Sequence, residues 1–388
     1  MSFSPRALMM SIAPFIFIGA NYYIITRRIT IFGGNITQRL PILLISLGIT
    51  LIFLIMQTAS FPNTKFLSII GSVGSRCFIL IPLLAILTGF FHLIETPLLK
   101  GGMGGSSIRR IAVSTVLLFI AYGLRATLST KITKVELTTS KIPHDVKIML
   151  VADIHVDDVF STLRLKEIKK QIELQQPDLV LIAGDFFNRP SVRHTQYFSI
   201  LSELNVPMYA VEGNHDTRGD KWLAFRRIQD LTNIQFLFNE NVILPELNLQ
   251  IIGTKERGHG QASNTTIEED LIASNIQPWD TFNILLTHQP IGLRKLENLP
   301  IDLELAGHTH KLQIRGLHFL SYLINDYTYG LYLYPSTDDN DLSIIEGMPE
   351  GQKNYQKSAF ITQGIWTRGL PLRIWTRSEI VMIHLSTQ

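Results

Sequence analysis

The chain has 388 residues with a formal net charge of +3, and 46% of its residues are hydrophobic while only 17% are charged. A net charge this small gives no argument for nucleic-acid binding. The mean hydropathy of +0.20 is too apolar for an ordinary soluble protein of this length. The single cysteine, Cys77, excludes a disulfide framework and a thiolate metal site.

The N-terminal third of the chain is apolar, and Glu95 is its only acidic residue before position 131. Four stretches there approach the roughly 20 apolar residues that a helix needs to cross a membrane. No polar face accompanies them, which argues against buried helices of a soluble domain. We predict an all-α transmembrane region over residues 1–130, followed by a linker over 131–146. Its four helices are predicted at about 8–26, 41–57, 77–95 and 111–128.

Basic residues in the loops indicate the orientation of such a region. The loops after the first and third predicted spans hold Arg27, Arg28, Arg39, Lys100, Arg109 and Arg110. The opposite side holds Arg6, Lys65 and Arg76. The numbers of basic residues on the two sides become equal only when Arg125, Lys131 and Lys134 are added to this side. We predict a multi-pass plasma (inner) membrane protein whose C-terminal domain lies outside the cytosol.

From residue 147 onward, short apolar runs alternate with amphipathic segments, which is typical of an α/β domain with a largely parallel sheet. We predict one domain over residues 147–388, with a loop at 335–354. Its strands are predicted at 147–152, 179–183, 208–212, 283–287 and 303–306, its helices at 163–174 and 219–231, and its closing strands at 358–363, 372–375 and 379–385.

Each of the first five predicted strands ends on residues that bind metals. These residues are Asp153 and His155, Asp185, Asn214 and His215, His288, and His308 and His310. Singly, each motif is typical of an ordinary loop or turn. In an open α/β sheet, however, the carboxyl ends of the strands meet at one edge. Five such motifs, in order and each at a strand end, therefore predict one metal site.

These motifs, "DIH", "GD", "GNHD", "THQP" and "GHTH", resemble those of the calcineurin-like metallophosphoesterases over about residues 147–385. With the apolar N-terminal region, the chain resembles the membrane-anchored branch of that family, which has four N-terminal transmembrane helices. The resemblance implies a four-layer αββα sandwich in which helices flank two packed β-sheets.

Phosphate esters are anionic and resist attack by water, and two cations about 3.5–4 Å apart hold both the phosphoryl oxygens and a hydroxide. This arrangement needs a bridging carboxylate, for which Asp185 is the candidate. The resemblance implies that Asp153, His155 and His310 complete the first metal site. It implies that Asn214, His288 and His308 complete the second.

A water that bridges the two metals is the expected nucleophile. His215 is placed to donate a proton to the leaving oxygen, and Asp216 is expected to orient it. The mixed imidazole, carboxylate and amide ligands suit Mn²⁺, Fe or Zn²⁺.

Three functions remain open at this point. The first is a membrane-anchored phosphodiesterase that acts on a lipid-linked or membrane-proximal phosphate ester, with membrane lipids as partners and possible substrates. The second is a pyrophosphatase of the UDP-diacylglucosamine type in lipid A synthesis, which requires a domain facing the cytosol. The third is a non-catalytic membrane sensor or scaffold, which is expected to lack a ligand or His215. The apolar stretch at 316–324 is either a buried strand or a rim that meets acyl chains.

Overall fold

The computed structural model describes residue 22 and residues 105–156, 160–188, 190–217, 219–256, 276–278, 280–315, 327–335, 343–345, 355–367 and 371–387. The first three predicted transmembrane helices, apart from residue 22, lie outside these residues, as does the apolar stretch at 316–324. The fourth falls within a described helix, α1 (Gly105–Leu128). None of the helices in the described part of the chain combines the length and the apolar character needed to cross a membrane.

Contacts divide the chain into two compact units, and Ala126–Thr367 with Arg373–Gln388 form the second. Among its described residues, this unit holds two β-sheets and two α-helices, α2 (Ser161–Gln175) and α3 (Lys221–Leu231). The strands are β1 (Thr130–Thr139), β2 (Val146–Val151), β3 (Leu179–Ala183), β4 (Met208–Val211), β5 (Ile234–Phe236), β6 (Glu240–Leu244), β7 (Leu249–Gly253), β8 (Phe282–Leu286), β9 (Leu303–Ala306), β10 (Gly330–Pro335), β11 (Ser343–Ile345), β12 (Tyr355–Ile361) and β13 (Ser378–Thr387). The 3-10 helices are Val192–Leu201, Pro245–Leu247, Leu293–Leu296 and His310–Leu312.

The first sheet has the order β1-β13-β2-β3-β4-β5, and the second has the order β11-β10-β12-β9-β8-β7-β6. Strands β2, β3, β4 and β5 are parallel to one another, and so are β7, β8, β9 and β12 in the second sheet. The neighbours that flank these two sets, β13, β6 and β10, pair with them antiparallel. All five strands predicted to carry the site are confirmed, and each lies in one of these parallel sets. Their carboxyl ends therefore share an edge within each sheet.

Alternate residues of each strand face opposite sides of a sheet. Leu150 and Leu181 of the first sheet pack with Ile284 and Leu305 of the second in one apolar core between the sheets. On the other face of the first sheet, Val151 and its neighbours pack against α2, α3 and the 3-10 helix at Val192–Leu201. These layers account for the αββ part of the predicted sandwich.

On the outer face of the second sheet, the described residues contain no α-helix of the predicted fourth layer, and residues 257–275 lie outside the described part of the chain. Ile252 and Leu285 pack there against Leu296, Leu299 and Ile301. In the described residues this covering segment contains the 3-10 helix Leu293–Leu296 and no α-helix. The mixture of α-helices and β-sheets fits the predicted fold class. The described residues on the outer face of the second sheet form a short 3-10 helix.

The predicted linker at 131–146 is wrong, because residues 130–139 form strand β1 along the full length of β13. Val135 and Leu137 of this strand are buried in the core between the sheets. From Lys134 onward, the exposed residues Lys134, Glu136 and Thr138 alternate with the buried Val135 and Leu137, which is the pattern of a strand with one solvated face. That alternation was the signal for a strand.

The predicted strand at 372–375 is also wrong. Only Ile374 forms a single bridge, with Ile314, and Trp375 has a positive φ of 55° that ends the extended run. The predicted loop at 335–354 is corrected in part, because Ser343–Ile345 form strand β11 beside β10. The strand predicted at 358–363 starts earlier, at Tyr355, and the helix predicted at 219–231 starts at Lys221.

Candidate metal centre

The segments that follow β2 and β3 run side by side at the edge of the first sheet. The N–H of Asp153 donates to the carbonyl oxygen of Gly184, and the N–H of His155 donates to that of Asp185. In the second sheet, the N–H of Gly307 donates to the carbonyl oxygen of His288. The His288 Nδ1 lies 2.8 Å from the carbonyl oxygen of Ala183, which links the two sheets at this edge. The strand ends of both sheets therefore converge.

The backbone at the candidate ligands is strained. Asp153, His155 and Asp185 have φ values of 58°, 49° and 55°, and His308 and His310 have values of 73° and 50°. Residues other than glycine adopt this left-handed backbone conformation at a cost of roughly 1–2 kcal/mol each. Such strain clusters at functional sites, where the surrounding structure fixes it. Here the positive φ values change the direction of the backbone at the point where each strand ends.

Gly213 shows how closely these segments pack. A Cβ added at this position would lie 2.1 Å from the Asp185 Oδ1. Only a residue without a side chain lets the segment after β4 approach the Asp185 carboxylate in this way.

The first cluster of candidate ligands consists of Asp153, His155, His310 and Asp185. The Nε2 atoms of His155 and His310 lie 3.3 Å apart. The Asp153 Oδ1 lies 3.5 Å from the His310 Nε2, and the Asp185 Oδ2 lies 3.5 Å from the His155 Nε2. All four side chains are buried. Nitrogen and oxygen atoms at these separations fit around one cation.

The second cluster consists of Asn214, His288, His308 and, again, Asp185. The Asn214 Oδ1 lies 3.0 Å from the His288 Nε2 and 2.8 Å from the His308 Nδ1. The His288 Nε2 lies 3.3 Å from the Asp185 Oδ2. The same carboxylate oxygen is therefore adjacent to a histidine of each cluster.

Within the described residues, two groups of three side chains have ligand atoms that all lie within 4.8 Å of one another. They are Asp153, His155 and His310, and Asp153, Asp185 and His288. Neither oxygen of the buried Asp153 carboxylate meets the geometry of a hydrogen bond, although the charges of His288 and Arg373 and the His308 backbone lie close enough to oppose the rise in its pKa that burial causes. Burying a carboxylate with so little pairing is costly, and a bound cation would offset that cost. The donor set thus fits two divalent cations.

Burial and the close spacing of charged groups shift the pKa values of these side chains. Burial raises the pKa of Asp153 to about 7 and lowers the pKa of His155 well below its usual range. Burial opposes charge on His288, yet the negative charge of Asp185 outweighs it and raises the pKa of His288 to about 10. A positive charge between Asp185 and His288 is therefore favoured in the place where a metal ion would lie.

His215 lies beside the first cluster. Its ring makes an edge contact with that of His155, with a distance of 5.2 Å between the centroids. Its Nδ1 lies 3.2 Å from the carbonyl oxygen of Asn188, and its backbone N–H donates to the Asp185 Oδ1 at 2.9 Å. These contacts hold the side chain next to the clusters but outside their ligand atoms.

The role predicted for Asp216 needs correction. Its carboxylate accepts hydrogen bonds from the backbone N–H groups of Phe186, Phe187 and Gly213 rather than from His215. Asp216 therefore fastens the segments after β3 and β4 to each other. The carbonyl oxygen of Asn188 takes the position beside the His215 ring that was expected for Asp216.

Sequence reasoning missed three buried residues beside the first cluster, Arg164, Trp366 and Arg373. A signal existed for Arg164, which lies on the buried face of α2 with Leu165 and Ile168. A charged residue on the apolar face of a helix is uncommon unless it has a specific partner.

The two sheets bring carboxylate, imidazole and amide side chains together at their strand ends, in a donor set that suits divalent metal ions. Residues 146–312 match the family model described as calcineurin-like phosphoesterase. This match and the relatives below support the calcineurin-like metallophosphoesterase family, and the chain is a metal-dependent phosphoric ester hydrolase.

Three relatives are similar to this chain. An uncharacterized metallophosphoesterase of Campylobacter jejuni is 29% identical over 71% of this chain and 68% of its own length. A bovine protein named "Transmembrane protein with metallophosphoesterase domain" is 26% identical over 71% of this chain and 61% of its own length. The Escherichia coli phosphodiesterase YaeI is 29% identical over 44% of this chain and 62% of its own length.

Proposed function

We propose that this chain is a membrane-tethered phosphodiesterase with two metal ions that acts on a lipid-linked or membrane-proximal phosphate ester. The observation that carries the proposal is the position of the Asp185 Oδ2, 3.5 Å from the His155 Nε2 and 3.3 Å from the His288 Nε2. An oxygen in this position is suited to bridge two cations.

In this proposal, Asp153, His155, His310 and Asp185 hold the first ion. Asn214, His288, His308 and Asp185 hold the second. When bound, the two ions supply positive charge to the phosphoryl oxygens and lower the pKa of an attacking water. The chain contributes the fixed positions of the ligands, which prevent the two ions from drifting apart.

The proposed general acid is His215. In the imidazolium form, the His215 Nδ1–H donates to the Asn188 carbonyl oxygen and the Nε2–H supplies the proton that the leaving oxygen needs, which leaves a neutral imidazole. Asn188 and the backbone hydrogen bond to Asp185 fix this imidazole relative to the bridging carboxylate. The proton is therefore delivered from a side chain that holds no metal.

Two further observations support the substrate class and the tether. The E. coli relative is named a phosphodiesterase, and the bovine relative is named a transmembrane protein. The four apolar stretches before residue 130 are long enough for membrane helices. We propose that the hydrolase domain follows them and lies on the extracytoplasmic side of the plasma membrane.

The full-length chain in detergent, loaded with Mn²⁺, tests the chemistry. We expect faster hydrolysis of bis(p-nitrophenyl) phosphate than of p-nitrophenyl phosphate, loss of activity with a chelator, and recovery with Mn²⁺. A preference for the monoester would contradict the diesterase assignment. Activity that survives complete removal of metal would contradict the two-metal mechanism.

Reconstitution in vesicles tests the tether and the substrate. We expect turnover of a phosphodiester lipid in the same bilayer to exceed turnover of the soluble diester, and a reporter fused after residue 388 to be active only outside the cytosol. A cytosolic reporter together with cleavage of a nucleotide-diphospho-lipid would favour the pyrophosphatase instead.

A further inference from the structure

Two arginines lie fully inside the protein beside the first ligand cluster, Arg164 at 3% exposure and Arg373 at 0%. Taking a guanidinium out of water costs several kcal/mol unless hydrogen bonds satisfy it. Both direct N–H groups at backbone carbonyls around the histidines of the first cluster.

Arg373 fastens one segment to the back of the cluster. Its Nη2 donates to the carbonyl oxygens of Gln363, Gly364 and Trp366, and its Nη1 lies 3.5 Å from that of His310. The segment that it holds touches the site directly. A Cβ added at Gly364, which has a φ of 75°, would lie 2.4 Å from the Asp153 Oδ2.

Arg164 holds the other histidine. Its Nη2 donates to the carbonyl oxygen of His155 at 2.7 Å and to the Ser161 Oγ at 3.2 Å. Its guanidinium lies 4.0 Å from the centre of the Trp366 ring, in a cation–π contact. Arg164 therefore joins the His155 backbone to the Trp366 side chain.

Trp366 connects the two arginines and also contacts a ligand. Its carbonyl oxygen accepts from Arg373 and lies 3.2 Å from the His310 Nδ1. A His310 Nδ1–H that donates there leaves the lone pair of the His310 Nε2 free to bind a cation. The Nε2 is the atom that lies 3.3 Å from the His155 Nε2.

We propose that Arg164, Trp366 and Arg373 are positioning residues for the first metal ion. They fix the backbone of His155 and the backbone and tautomer of His310, and they touch neither metal nor substrate. The second cluster is fixed differently, because the His288 Nδ1 meets the backbone carbonyl of Ala183. Loss of the arginine contacts should therefore weaken one of the two ions selectively. This inference rests on the two-metal assignment proposed above.

The test measures Mn²⁺ binding to the full-length chain by calorimetry and electron paramagnetic resonance. Arg373→Lys keeps the charge but cannot reach four carbonyls, and Arg164→Lys loses the planar stacking surface. We expect each variant to bind one of two equivalents roughly 10- to 100-fold more weakly, with the other unchanged. Activity should recover at saturating Mn²⁺. Arg226→Lys, at an exposed position of α3, is the matched control.

Reference variants identify the ion that is lost. At limiting Mn²⁺, the spectrum of Arg373→Lys should match that of His310→Ala and differ from that of His308→Ala. Equal weakening of both ions in a folded variant, or no change in either, would overturn the positioning role. Should a lysine variant fail to fold, Trp366→Phe keeps an aromatic platform and the carbonyl, and a smaller selective loss is expected.

The same data separate this inference from the proposed function. Wild-type protein that binds fewer than two equivalents would contradict the two-metal centre itself. Wild-type protein that binds two equivalents, with variants that bind them equally well, would contradict only the role of the arginines.

Discussion

The two ligand clusters differ in what holds their histidines. His155 and His310 of the first cluster are fully enclosed, and two buried arginines and Trp366 fix their backbone and ring positions. In the second cluster, His308 is only half buried, and the His288 ring meets a strand-end carbonyl. In our proposal, the first ion site depends on contacts from Arg164, Trp366 and Arg373, of which the last two are 56 and 63 residues from His310. The second depends mainly on the backbone of the sheet edge. Asp185 is the element that they share.

Asp185→Asn is the change with the largest expected effect, because it acts on both clusters at once. An amide carries no negative charge and cannot bridge two cations as a carboxylate does. We expect activity to fall on the order of 10³-fold or more. The measurement is kcat/KM for a soluble diester at saturating Mn²⁺. Activity near that of the wild type would show that the two clusters do not depend on a common carboxylate.

His215→Gln separates proton transfer from metal binding. We expect kcat to fall by roughly 10²- to 10³-fold while both metal equivalents remain, because the imidazole lies beside the candidate ligands and outside their ligand atoms. The loss should be smaller for a p-nitrophenyl leaving group than for an alkyl one, which needs its proton more. An equal loss for both leaving groups would rule out the general acid.

Asp216→Asn tests the connection between the segments after β3 and β4. In asparagine, an NH₂ group replaces one carboxylate oxygen and cannot accept a hydrogen bond. A buried backbone N–H left without an acceptor costs about 1–3 kcal/mol. We expect a lower free energy of unfolding in denaturant, with Asp230→Asn, at an exposed position of α3, as the control that leaves it unchanged. A stable Asp216→Asn variant would contradict this structural role.

Glu304→Gln, in β9, tests how the free energy of unfolding depends on pH at a buried residue outside both ligand clusters. Burial raises the pKa of Glu304 to about 7, although hydrogen bonds from the N–H groups of Ile291 and Gly292 oppose that shift. Between its ordinary pKa of 4.5 and about 7, the folded state keeps a proton that the unfolded state loses. The free energy of unfolding therefore falls as the pH rises through this window.

Glutamine cannot titrate, so the variant should lack this decrease, which we expect to amount to roughly 1–3 kcal/mol. Denaturant unfolding at pH 5 and pH 7.5 measures it, with Glu240→Gln at an exposed position of β6 as the control. Parallel pH profiles of Glu304→Gln and the wild type would contradict the assignment of the decrease to Glu304.

The sequence predicted the parts of the fold that repeat a simple pattern. The buried strands at 179–183 and 303–306 have the predicted bounds, because each is a short apolar run in a parallel sheet. Strand β1 was missed because its apolar residues are separated by lysines and threonines, and only its pairing with β13 completes its burial.

Some features of the candidate site could be predicted from the sequence and others could not. The ligand types could be predicted from the residues at strand ends, since neighbouring parallel strands bring their ends together. The roles of Asp216 and Arg373 could not, because each depends on which backbone groups lie within reach after the two sheets have packed. Hydrogen bonds from side chains to remote backbone atoms leave no periodic pattern in a sequence.

The central claim is that Asp185 joins two metal ions. Electron paramagnetic resonance of the Mn²⁺-loaded full-length chain tests it most directly, because two ions that share a carboxylate are magnetically coupled. We predict two equivalents of Mn²⁺ per chain and a coupled spectrum, which Asp185→Asn abolishes. A single equivalent, or two equivalents whose spectrum shows isolated ions, would contradict the shared carboxylate.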